Sequence, residues 1–261
     1  MFEKHGIKHL SPSSINLFIA EPSLWVLRYL FKDKIPSISN PAMTRGSLVD
    51  EALGKGLIDK VAQEDLIFDA KKKFFEITAE HFDNLSIVLK WDHDTVTKEA
   101  NSIPHFIRSG LPFYQNQGKL LSHQQKVELD VGLEVPVIGY TDLVFEEKIC
   151  DIKTTFRTPS AFSLDGVMRQ LTVYALALNK MAEANYFVKL KNETKVVTFP
   201  IDNVEQRQEE IEMSCYAIRN LLATSENRFD ILRLLSPNFS NFRWEEEEKI
   251  IFKELFFENT N

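Results

Sequence analysis

Apolar and polar residues follow each other with a period of two in the middle of this chain. From Val127 to Leu133, apolar side chains occupy every second position, with acidic residues or glycine between them. This alternation predicts a half-buried strand, because neighbouring side chains of a strand point to opposite faces. Further strands are expected at Val137–Phe145 and Ile149–Thr154, joined by the charged turn 146–148. Together, the three strands predict an antiparallel meander.

Helical periodicity flanks these strands on both sides. Ser11 and Pro12 suit the cap and the first position of an N-terminal helix. Another helix is expected from Thr44 to Leu57, and residues 65–110 place Phe and Leu at spacings of three and four. After the meander, a long helix carries an apolar stripe over Val167–Leu178.

Two more apolar segments, at 185–190 and 195–201, read as a second hairpin. Strands, a crossing helix and further strands predict the fold class α/β, with a central mixed β-sheet flanked by helices. We expect one domain over residues 1–261. It includes a helical insertion or subdomain at about 60–120, in which the sequence shows no chemistry of its own.

Composition narrows the classes of protein to which this chain can belong. Hydrophobic residues make up 44% and charged residues 26%, which is globular composition and argues against disorder or a fibre. Two cysteines exclude both a disulfide framework and a cluster held by four thiolates. The N-terminus lacks an apolar signal segment and no run is long enough to span a bilayer. We therefore expect a cytoplasmic protein without a membrane partner.

Three charged residues lie within the predicted strands, in segments that are otherwise largely apolar. Asp151 and Lys153 are two residues apart, so they project from one face of their strand. Asp142 lies on the neighbouring strand of the same hairpin. Two carboxylates beside an ammonium suit Mg²⁺ or Mn²⁺ with water and a substrate phosphate. The alternative is a solvated edge strand, but the apolar flanks of these residues favour a central strand pair.

These residues belong to an ordered set of motifs that resembles the RecB-like branch of the PD-(D/E)XK nucleases. The set is Gly139-x-x-Asp142, then Asp151-x-Lys153-Thr, then Gln170-x-x-x-Tyr174. The resemblance implies a restriction-endonuclease-like core, with Asp142, Asp151 and Lys153 as catalytic residues. It also implies that Gln170 and Tyr174 bind substrate, although Tyr174 fits simple core packing equally well.

Upstream, the chain departs from the family pattern at two places. The family's Gly-x-x-x-His, whose His contacts the metal, reads Gly46 to Asp50 here, and Glu51 follows. The resemblance therefore implies three metal ligands, namely Asp142, Asp151 and either Asp50 or Glu51, with Asp50 preferred and an exposed acidic helix start as the alternative. Where some members carry Cys-Pro and an iron–sulfur cluster, this chain has Glu21-Pro22, so no iron–sulfur cluster is expected.

Charge distribution adds candidate contacts to a nucleic acid. The formal net charge is −7, which disfavours a uniformly basic surface that coats nucleic acid. The segment from Lys153 to Lys191 is nevertheless basic, with six basic residues against two acidic ones. Within it, Arg157 and Arg169 are the predicted phosphate contacts.

The hypothesis at this point is a DNA nuclease that uses Mg²⁺ or Mn²⁺ to hydrolyse phosphodiester bonds. The resemblance suggests an exonuclease that acts on single strands or DNA ends in replication, recombination or repair. Two alternatives stay open, a site-specific or structure-specific endonuclease and a non-catalytic nucleic-acid-binding protein that retains the fold. Oligomeric state has no signal in the sequence.

Overall fold

The computed structural model describes residues 1–84, 87–89 and 91–258, and its elements fall into seven strands and nine α-helices within those ranges. The strands are β1 (Ser37–Ser39), β2 (Ile87–Leu89), β3 (Leu120–Leu129), β4 (Val137–Phe145), β5 (Lys148–Thr155), β6 (Met181–Lys189) and β7 (Thr194–Pro200). The helices are α1 (Pro12–Ala20), α2 (Pro22–Leu30), α3 (Pro41–Ile58), α4 (Gln63–Asp83), α5 (His93–Gln115), α6 (Ala161–Leu178), α7 (Val204–Leu222), α8 (Arg228–Arg233) and α9 (Glu246–Phe257).

A mixed sheet with the strand order β3-β4-β5-β6-β7 forms the centre of the fold. Strands β3, β4 and β5 pair antiparallel, which confirms the predicted meander. Helix α6 then crosses the sheet, so β6 runs parallel to β5, and β7 returns antiparallel. The predicted α/β class with a mixed sheet between helices is therefore confirmed. Strands β1 and β2 form a separate, short parallel pair.

Two apolar cores lie on opposite faces of this sheet. Helices α1, α2 and α6 to α9 cover the face that presents Val144 and Ile149. Helices α3, α4 and α5 cover the face that presents Leu143 and Cys150. The segment 60–120, predicted as helical, thus contains α4 and α5 and buries the second face of the sheet. None of the helices in the described ranges has the length and apolar character needed to cross a membrane.

Local capping decides where the first helices begin. The Ser11 hydroxyl accepts from the Ser14 backbone N–H, and the Ser14 hydroxyl accepts from the Ser11 N–H, which confirms the predicted start at Pro12. Helix α3 begins three residues before the predicted Thr44, because the Asn40 side chain accepts from the first free N–H groups of that helix.

The strand predicted at Val127–Leu133 is shifted toward the N-terminus in the structure. Strand β3 ends at Leu129, because a turn follows in which the Asp130 carboxylate accepts from the Gly132 N–H, and Gly132 has a φ of 69°. Apolar and polar residues continue to alternate through this turn, although the strand ends before it. At its other end, β3 begins at Leu120 and so includes His123 and Gln124, two residues that prove important for the candidate site.

Candidate active site

Strands β4 and β5 bring three charged side chains together. Leu143 is the register partner of Cys150, and Cys150 and Ile152 belong to the core that α3, α4 and α5 cover. Because side chains alternate along a strand, Asp151 and Lys153 share the other face of β5. This is the arrangement predicted from the two-residue spacing of Asp151 and Lys153.

The three residues are in close contact at the centre of the sheet. Lys153 Nζ lies 2.6 Å from Asp151 Oδ2, and Asp151 is only 1% exposed. Asp142 Oδ2 accepts a hydrogen bond of 2.6 Å from the backbone N–H of Ile152, which lies between the other two residues along β5. The backbone of β5 therefore fixes the Asp142 carboxylate beside the Asp151–Lys153 pair.

Electrostatics in this cluster favour a bound cation. Burial raises the pKa of Asp142 well above its ordinary value, and the negative charges of Asp151 and Asp50 raise it further. Burial acts to lower the pKa of Lys153, but the attraction of Asp151 and Asp142 outweighs burial and leaves that pKa raised. Lys153 is consequently an ammonium at neutral pH, and one positive charge faces three carboxylates.

Helix α6 brings both residues of the Gln-x-x-x-Tyr pattern to this cluster. Gln170 Nε2 donates to Asp151 Oδ1 over 3.1 Å and to the Tyr174 hydroxyl over 2.7 Å. Tyr174 is also 3% exposed and belongs to the apolar core, which confirms the packing interpretation, whereas a contact with substrate stays a prediction. Gly139 makes the close packing possible, since a Cβ there would lie 2.6 Å from Tyr174 Cε1.

The structure distinguishes between the two acidic neighbours on α3. His123 Nε2 lies 3.2 Å from Asp50 Oδ1, and Gln124 Nε2 donates to Asp50 Oδ2 and, over 3.4 Å, to Asp142 Oδ1. Asp50 is thereby linked to Asp142 through one side chain. Glu51 instead accepts from the ammonium groups of Lys55 and Lys73, each at 2.6 Å. Asp50 is therefore the one of the two that faces the cluster.

Sequence reasoning missed His123 and Gln124. The predicted strand began too late to include them, and neither belongs to a recognisable motif. A signal was present in Gly54, one turn after Asp50 on α3. Its missing side chain leaves space for the His123 ring, which would lie 2.4 Å from a Cβ at that position.

The two arginines that were predicted to contact phosphate, Arg157 and Arg169, lie in different surroundings. Arg157 is exposed and follows the end of β5, two residues after Thr155. Arg169 Nε donates to Asn16 Oδ1 over 2.7 Å, and its guanidinium lies 3.5 Å from Glu210 Oε2. Those partners belong to α1 and α7, so the structure does not join Arg169 to the carboxylate cluster by any of these contacts. A phosphate contact by either arginine stays a prediction.

The donor set of this site fits Mg²⁺ or Mn²⁺. Among the described residues, no three His, Cys, Asp or Glu side chains already form a complete metal-binding group. Asp142 and Asp151 are nonetheless hard oxygen donors held side by side, and Mg²⁺ is commonly bound through one or two carboxylates, with water and phosphate as its other ligands. The mutual repulsion that raises the pKa of Asp142 is the kind that a divalent cation relieves.

Comparison with protein families supplies the decisive observation. The family model described as PD-(D/E)XK nuclease superfamily matches residues 9–239. The chain belongs to this superfamily. Its matched region contains all three charged residues on β4 and β5, together with Gln170 and Tyr174. The protein is thus a nuclease by family, and nucleases of this superfamily generally use divalent metal ions.

One solved structure has a similar fold. A "Putative exonuclease" from Eubacterium rectale superposes with a TM-score of 0.57 at 14% identity, covering 82% of this chain and 80% of its own. A second solved structure, SSO0001, has a TM-score of 0.32 at 15% identity, covers 66% of this chain and 84% of its own, and is too different to support an argument. No curated protein sequence matches this chain significantly.

Proposed function

We propose that this protein is a deoxyribonuclease that uses Mg²⁺ or Mn²⁺ to hydrolyse phosphodiester bonds, acting as an exonuclease on single strands or DNA ends. One observation carries the proposal: Asp151 pairs with Lys153, the Ile152 N–H holds Asp142 beside them, and the Gln170 amide of α6 donates to Asp151. Burial and the neighbouring carboxylates raise the pKa of Asp142, and a divalent cation would offset the negative charge that Lys153 leaves unbalanced.

Each residue of the cluster has a task in this proposal. Asp142 and Asp151 would hold the cation, with Asp50 as a further ligand. When bound, the cation would polarise the phosphoryl group and lower the pKa of an attacking water. Lys153 would orient that water and offset the negative charge that develops on the phosphoryl oxygens.

The substrate would approach along α6 and the end of β5. Gln170 and Tyr174 would position the strand, because their hydrogen-bonded pair edges the cluster. Arg157 is exposed just beyond β5 and would contact a phosphate of the same strand. Preference for ends is supported by the resemblance of the motif set, since many proteins with these motifs degrade DNA from ends.

Cleavage assays with purified variants test the proposal. We expect Asp151→Asn and Lys153→Met each to lower the cleavage rate of labelled single-stranded DNA in Mg²⁺ or Mn²⁺ by at least about 100-fold. The matched control is Lys195→Met, which removes an exposed lysine on β7 and leaves the rate unchanged. Undiminished cleavage by both site variants contradicts the proposal.

The form of the DNA in the same assay separates exonuclease from endonuclease. A linear single strand is expected to be degraded, and a closed circular single strand of the same sequence is expected to survive. Cleavage of the circle at an undiminished rate excludes a strict requirement for ends and favours the endonuclease. Metal-independent DNA binding without cleavage of any substrate favours the non-catalytic alternative.

A further inference from the structure

The Gln124 amide lies between two carboxylates from different elements. Asp50 extends from α3 and Asp142 from β4. Gln124 Nε2 donates to Asp50 Oδ2 and to Asp142 Oδ1. One neutral NH₂ group therefore donates hydrogen bonds to the carboxylate oxygen atoms that the proposed function assigns to a cation.

The backbone of Gln124 is distorted to achieve this contact. Its φ is 52°, in the left-handed region that side-chain-bearing residues other than Asn and Asp rarely adopt. On either side, His123 and Gln125 keep the regular register with Leu143 and Thr141 of β4. The left-handed conformation therefore lies between two regular pairs, at the residue whose amide contacts both carboxylates, and conformations of this kind persist where the surroundings require them.

We propose that Gln124 is an internal stand-in for the divalent cation. Its amide bridges Asp50 and Asp142 in the metal-free protein and leaves both carboxylates when the cation binds. This inference rests on the proposed metal-dependent function of the site. Gln124 is an exposed residue, so its side chain has solvent into which it can move.

Competition for the same oxygen atoms has a measurable consequence. The cation must break the hydrogen bonds of the amide, so a variant without the bridge binds it more tightly. Gln124→Asn tests the contact of the amide separately from the backbone conformation. Asn tolerates the left-handed conformation, but its side chain is one methylene shorter than that of Gln. We expect this variant to bind Mn²⁺ at least about tenfold more tightly, which corresponds to the loss of one hydrogen bond to a charged acceptor.

Titration calorimetry of the full-length protein with Mn²⁺ measures this difference. Gln206→Asn is the matched control, because Gln206 is exposed on α7 and donates to a single carboxylate, that of Glu210, over 3.3 Å. Its Mn²⁺ affinity is expected to equal that of the wild type. Unchanged or weaker Mn²⁺ binding by Gln124→Asn, with normal binding by the wild type, overturns the stand-in and leaves the proposed function intact.

A second measurement follows the amide directly. In a ¹⁵N-labelled protein, titration with Mg²⁺ is expected to shift the Gln124 side-chain NH₂ resonances toward those of a solvated amide, while those of Gln206 stay in place. Gln124 resonances that do not move while the wild type binds Mg²⁺ also overturn the stand-in. Failure of the wild type to bind either metal overturns the proposed function, and the stand-in with it.

Discussion

The carboxylate of Asp142 is half-buried, accepts from the Ile152 N–H and faces the negative charges of Asp151 and Asp50. Burial and these charges raise its pKa from 3.8, so the folded protein holds a proton there more tightly than the unfolded chain does. Without metal, the free energy of unfolding therefore falls as the pH rises from about 4 through the raised pKa. A single residue with a proposed role in metal binding therefore lowers stability at neutral pH.

Asp142→Asn removes this charge and keeps an oxygen that can accept from Ile152. We expect the metal-free variant to be more stable at pH 7 by on the order of 1 kcal/mol, or roughly 2–4 °C in Tm. The gain should disappear below about pH 3, where the wild-type carboxyl is protonated in both states. Thermal unfolding in chelator at several pH values measures this, and a gain that does not change with pH contradicts the electrostatic cause.

At the scale of elements, the contact between α6 and β4 depends on a glycine. Tyr174 of α6 lies over Gly139, where a Cβ would come within 2.6 Å of the ring. The same ring carries the hydroxyl that accepts from Gln170, and Gln170 in turn donates to Asp151. The packing of one helix on one strand therefore sets the position of two residues in the site.

Gly139→Ala is expected to push this ring away and to destabilise the protein by about 1–3 kcal/mol, the usual cost of overpacking. In a Tyr174→Ala background, which vacates the space, the same substitution should cost much less. Urea unfolding of the four proteins forms a double-mutant cycle. Additive losses in that cycle show that Gly139 does not act through Tyr174.

Two carboxylates near the starts of helices have arginine partners. Glu248, in the acidic first turn of α9, is 1% exposed and accepts from Arg28 Nε over 2.6 Å. Asn203 precedes α7 without a side-chain cap, and Asp202 accepts from Arg207. In both cases an arginine donates a hydrogen bond to the carboxylate.

At the scale of the whole molecule, a buried ion pair joins the helical segment 60–120 to the strand that carries the site. Arg45 of α3 pairs with Glu99 of α5, and both are less than 10% exposed. The same guanidinium donates to the backbone carbonyl of Thr154, at the end of β5, over 2.9 Å. Arg45 thereby connects α3, α5 and the central sheet.

Arg45→Met is expected to destabilise the protein by roughly 3–5 kcal/mol, because it leaves the Glu99 charge buried without a partner. Arg45→Met combined with Glu99→Gln should recover much of that loss. Chemical denaturation of the wild type, both single variants and the double variant measures the coupling. If the double variant loses as much free energy of unfolding as the two single variants together, a buried charge pair is contradicted.

Local periodicity was sufficient to predict the sheet class, the meander and the shared face of Asp151 and Lys153, because alternation along a strand is a property of adjacent residues. The choice of Asp50 over Glu51 required the packing of α3, since neighbours on a helix differ in direction by about 100°. The sequence did not reveal His123 and Gln124 as site residues. Alternation placed the start of their strand too late, and no motif indicates the left-handed backbone conformation of Gln124. Contacts between residues distant in sequence depend on the positions of whole elements, and those positions follow from the two cores on either side of the sheet.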